Sequence, residues 1–147
     1  MQMSLPRPEY PRPDLVRPEW LNLNGPWSFE FDDENRGVRE GWFERPSFSR
    51  TIQVPFPFQA ALSGIGETGF HDIFWYHREV EVPAAWRDKG RLLLHVGAFD
   101  FRGELWVNGK KAGEHEGGYT PWTVDVTDFA RRGRLNLVFR GVDTQSK

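Results

Sequence analysis

Cysteine is absent from the 147 residues. That excludes disulfides and thiolate metal sites, and suits a reducing compartment. Long apolar runs are missing too, and no stretch approaches the roughly 18 apolar residues that span a bilayer. The opening MQMSLPRPEYPRPD holds no apolar run of the kind a secretory signal needs, so the expected location is cytoplasmic. Charge of one sign is scarce. Lys and Arg number 19 against 21 Asp and Glu, for a net charge of −2. Such a balance gives no general attraction to nucleic acid or to an anionic membrane. The basic residues are scattered and form no stripe interleaved with aromatics. Catalytic signatures are lacking as well: there is no GxSxG nucleophile motif and no HExxH metal motif. Gly64, Gly66 and Gly69 imitate the GxGxxG spacing, but a strand follows them where a phosphate-binding loop needs a helix. No cofactor and no metal are expected.

What is present is aromatic and turn-rich. Phe numbers 12 and Trp 7, and aromatics reach 15% of the chain, which a disordered chain would lack. Gly and Pro, at 15 and 11, are spread along the length, as many short strands joined by tight turns require. The length allows one domain with a real core. Residues 1–18 carry Pro at 6, 8, 11, 13 and 18, which blocks helix and predicts an extended arm along the domain surface. Residues 19–147 are expected to form a single domain. Within it Trp27, Phe29 and Phe31 alternate with polar residues at strand period, and residues 51–54 form a short strand stopped by Pro55. Residues 73–82 are the clearest strand, with Phe74, Tyr76, Val80 and Val82 on one face and Trp75, His77, Glu79 and Glu81 on the other. Leu105, Trp106 and Val107 run into Asn108-Gly109, the strongest short-range hairpin signal, and residues 110–115 supply the return arm. Gly117 and Gly118 break that arm before Tyr119, Pro121 and Trp122. Thr127 is placed to cap a short helix that Gly133 ends, and residues 134–142 make the last strand. Residues 32–49 read as a long polar loop anchored by Trp42, Phe43 and Phe48. The pattern predicts an all-β antiparallel β-sandwich.

Each candidate site has a plain structural alternative. Glu114 and Glu116 share a strand face, as the paired carboxylates of a glycosidase must converge, but charges beside a turn are usually solvated. His71, Asp72 and His77 lack metal-ligand spacing, and His77 and His95 read as ordinary strand residues. Trp75, Trp106, Tyr119 and Trp122 could offer ring faces to a sugar or to a neighbouring domain. Burial in the core is the better expectation for most single aromatics.

Four segments in order carry a resemblance: WLNLNGPWSF, FWYHREVEVPAAW, LWVNGKKAGEHEGGYTPWTVDVT and RLNLVFRGVD. Together they resemble the N-terminal sugar-binding domain of glycoside hydrolase family 2, the β-galactosidase, β-glucuronidase and β-mannosidase group. The resemblance runs over residues 10–143 and implies a jelly-roll sandwich of the galactose-binding-domain-like type. In that family the catalytic glutamates sit on a (β/α)₈ barrel further along, which needs about 250 residues. The resemblance therefore implies no catalytic residue in this chain. Its expected partners are a β-glycoside in the context of a full enzyme, plus an immunoglobulin-like domain and the barrel.

Some members place an aspartate just after the final strand against a sugar hydroxyl, and Asp143 stands in the matching position. Relatives also use a loop residue in the region of Glu67 and Thr68, where this sequence shows no clear counterpart. The expected function is a non-catalytic accessory domain that shapes the active-site cleft. A free-standing carbohydrate-binding module and a purely structural interaction domain remain open alternatives.

Overall fold

The computed structural model describes residues 2–5, 19–55, 58–67, 69, 71–87, 90–96, 102–116 and 122–143. Their strands are β1 (Gln2–Leu5), β2 (Glu19–Asn22), β3 (Gly25–Phe31), β4 (Arg50–Val54), β5 (Ile73–Glu81), β6 (Leu93–Val96), β7 (Arg102–Val107), β8 (Lys110–His115), β9 (Trp122–Asp125) and β10 (Arg134–Val142). They form two antiparallel sheets, one of six strands in the order β4-β3-β5-β10-β7-β8 and one of four in the order β2-β1-β6-β9. This is the expected all-β sandwich.

Period-two alternation explains the core between the sheets. Trp27 and Phe29 on β3, Phe74 and Val80 on β5, Leu105 and Val107 on β7, and Leu135, Leu137 and Phe139 on β10 are all buried. They meet Leu94, Val96 and Val124 from the smaller sheet. The β7–β8 turn is the predicted hairpin: Asn108 and Gly109 take φ of 51° and 82°, the pair of positive angles a two-residue primed turn needs.

Three details differ from expectation. Residues 2–5 do not lie over the surface as an arm. They are strand β1, hydrogen-bonded between β2 and β6, with Met3 fully buried. Met1, Met3 and Leu5 alternate with Gln2 and Ser4 at strand period, a signal too short to stand out against the prolines that follow; residues 6–18 lie outside the described residues. Thr127 does not cap the helix. The helix α1 (Thr127–Ala130) has Val126 at its cap position, and the Thr127 hydroxyl instead accepts the Leu92 N–H at 2.8 Å while donating to Asp125. Leu92 precedes β6, whose ladder does not reach that N–H, so a side chain completes the pairing.

The third difference is a second core on the outer face of the six-stranded sheet. Residues 32–48 fold back over it, and Trp42, Phe43 and Phe48 pack on Trp75, Trp106 and Val138. Within that sheet Glu30, Trp75, Arg140, Glu104 and Glu114 are successive cross-strand partners, a row running across five strands. The loop covers part of this row and leaves its β8 end exposed.

Candidate functional site

Asp143 follows β10, and its N–H donates to the Asp72 carbonyl at 2.8 Å, one residue before β5 begins. β3 ends on the same side, where the Asp32 N–H donates to the Ile73 carbonyl at 2.9 Å. Adjacent antiparallel strands thus bring Asp33, His71, Asp72 and Asp143 to one end of the large sheet. His71 Nδ1 lies 2.8 Å from Asp33 Oδ1, and the His71 ring stacks on Phe31 at 3.7 Å between centroids. Glu67 Oε1 accepts the Gly69 N–H at 2.9 Å, shaping the loop that leads to His71. A rim of carboxylates with one imidazole accepts hydrogen bonds readily, which is the chemistry that holds sugar hydroxyls.

His71 and His77 do not converge. Six residues of extended chain separate them by about 20 Å, and His77 Nε2 is bonded to Asn136 Oδ1 instead. Among the described residues, no three His, Asp or Glu side chains could hold a metal ion. Glu114 is also spoken for: Lys111 Nζ approaches it at 2.8 Å and Arg102 at 3.4 Å. The Lys111 hydrogen bond holds the Glu114 carboxyl below the usual carboxylate range, the opposite of what a proton donor needs. Glu116 is exposed.

Trp75 and Trp106 offer no face to a ligand. Their relative exposures are 0% and 5%. Trp106 lies between Trp75 and Phe43, stacked on both at 5.4 and 5.1 Å. The alternation placed them outward correctly; the loop that covers the outer face is what removes them from solvent. Trp122 is half-buried, parallel to His115 at 5.6 Å and edge-on to Phe139 at 6.3 Å. Tyr119 lies outside the described residues.

Sequence reasoning missed the groups that hold the covering loop. Asp32 is buried, and its carboxylate accepts the Arg36 N–H at 2.8 Å, the Gly37 N–H at 2.9 Å and Trp75 Nε1–H at 3.0 Å. Arg140 donates to Glu104 Oε1 at 2.5 Å and to Asn35 Oδ1 at 2.8 Å, clamping the loop from its other side. A polar residue opening a polar loop carries no sequence signal of burial, and the Arg140–Glu104 pairing is visible only in the β10–β7 register.

The sequence profile described as "Glycosyl hydrolases family 2, sugar binding domain" matches residues 67–144, more than half of the chain. The chain belongs to this family. The β-glucuronidase of Felis catus is 33% identical over 135 residues, covering 86% of this chain and 21% of that protein. A Lactobacillus rhamnosus β-glucuronidase structure superposes with a TM-score of 0.72 at 30% identity, over 82% of this chain and 20% of that one. The β-glucuronidase from Ruminococcus gnavus, solved in complex with D-glucuronic acid, matches at a TM-score of 0.70 and 32% identity, over 82% and 21% of the two chains. The chain therefore corresponds to the sugar-binding domain of family-2 glycoside hydrolases and spans about a fifth of the relatives it matches.

Proposed function

We propose that this chain is the non-catalytic accessory domain of a longer family-2 glycoside hydrolase that cleaves terminal β-glycosides such as β-galactosides or β-glucuronides. The observation that carries the reading is the coverage: relatives match 86% of this chain but only 21% of their own length. The Asp143 end walls one side of the active-site cleft, and Asp143 accepts a hydrogen bond from a substrate hydroxyl. In support, β3, β5 and β10 bring Asp33, His71 and Asp72 beside it. The barrel and immunoglobulin-like domains of the same enzyme are its packing partners.

The test is turnover of chromogenic β-glucuronides, β-galactosides and β-mannosides. The chain alone is expected to hydrolyse none of them. Turnover that co-purifies with the chain and persists after a further purification step overturns the reading.

A further inference from the structure

A groove of about 300 Å³ opens between the end of β3 and the covering loop, and Phe31, on which the rim's His71 stacks, is among its lining residues. Its walls include the rings of Trp42 and Phe48, tilted at 59° with centroids 5.9 Å apart. Its polar lining has both signs: Arg36 and Arg45, with Glu30 and Glu40.

The carboxylates are already engaged. Glu30 Oε2 accepts the Ser49 N–H at 3.0 Å and the Ser49 hydroxyl at 2.9 Å, and Glu40 Oε1 accepts Trp42 Nε1–H at 3.3 Å. The guanidiniums are not. Arg36 reaches Glu34 and Glu40 only at 3.9 and 4.0 Å, distances at which exposed pairs contribute little. The Arg45 guanidinium has no hydrogen bond or ion pair among the described residues. Arg36 sits 5.9 Å over the Trp42 ring, which leaves its fork edge free for an acceptor.

A pocket of this size lies at the lower end of small-ligand sites. Two under-used guanidiniums beside aromatic walls match a ring that carries a carboxylate: the forks take the carboxylate by paired hydrogen bonds, and the rings take an apolar face. We infer that this groove is a second sugar site beside the Asp143 rim, with Phe31 between the two, and that it selects uronic acids over neutral sugars. The choice of a sugar acid among carboxylate-bearing rings rests on the glycosidase reading above. In a longer enzyme such a site would hold part of an acidic glycan while another part occupies the cleft.

The experiment is a titration of the isotopically labelled 147-residue chain with sodium D-glucuronate, and with D-glucose at the same concentrations and ionic strength, followed by backbone amide and indole N–H resonances. Glucuronate is expected to shift the Trp42 indole and the amides of residues 36–48, saturating in the millimolar range, while glucose leaves them in place. Arg45→Ala is expected to weaken glucuronate binding at least tenfold. Arg45 is exposed, so its loss does not threaten folding, and an unchanged amide spectrum in the free variant verifies that. The site is overturned by equal shifts from both sugars, by no saturable shift, by an unchanged Arg45→Ala affinity, or by shifts confined to residues 71–72 and 143. That last result would support the rim alone. Failure of the groove leaves the accessory-domain reading standing, because turnover tests that reading separately.

Discussion

Asp32 is the residue on which the outer face depends. An ionised carboxylate removed from water needs several donors around it, and here two loop N–H groups and the Trp75 indole supply them. Asp32→Ala leaves those donors unpaired in a buried setting, and a destabilisation of about 1–3 kcal/mol is expected in urea unfolding. Gly37 packs against the same indole. A Cβ there would lie 2.5 Å from Trp75 Cζ2, so Gly37→Ala must displace either the ring or the loop. It is expected to cost about 1–3 kcal/mol and to reduce the near-ultraviolet dichroism of the Trp75–Trp106 stack. Neither position stood out in the sequence. Gly37 is one of two glycines in the polar loop of residues 32–49, and its requirement is set by a side chain 38 residues away (37 to 75).

At the scale of elements, alternation was enough to place most strands, and Asn108-Gly109 announced its own turn. It could not say which outward faces stay outward. Trp106 is the test case: as a buried ring it is expected to cost about 3–5 kcal/mol on replacement by Ala, as a core tryptophan does. A loss under 1 kcal/mol would show that the covering loop contributes little. The β9–α1 corner makes a second prediction. The Thr127 hydroxyl and N–H both donate to Asp125, and this holds the Asp125 carboxyl below its ordinary value. A lowered value in the folded state contributes stability above the ordinary Asp range and loses it as pH falls through the lowered value. Asp125→Asn is therefore expected to flatten the acid side of a melting-temperature profile between about pH 5 and pH 2, with little change in the slope near neutrality. Tyr76 acts at the other extreme. Burial between Phe29 and Phe74 pushes its hydroxyl well above the usual range, so its share of stability is present below about pH 10 and falls as pH rises further.

For the whole molecule the decisive strand is the first. Among the described residues β2 pairs only with β1 in the small sheet, and β1 joins it to β6. Removing residues 1–5 strips β2 of its partner and takes away Met3, so the loss should exceed the about 2–5 kcal/mol of a buried Met→Ala change. Hydrogen exchange at residues 19–22 should rise with it. Protection there equal to that of the full chain would show that β2 does not depend on β1.

The sequence by itself determined most of the strands, the hairpin, the fold class and the family, because period, turn chemistry and ordered motifs are local along the chain. Tertiary structure alone decided which rings are buried on the outer face, that residues 2–5 complete a sheet, and that Asp32, Arg140 and Glu104 pin the covering loop. Those depend on pairings between distant segments, where burial and register, rather than residue type, settle what each side chain meets.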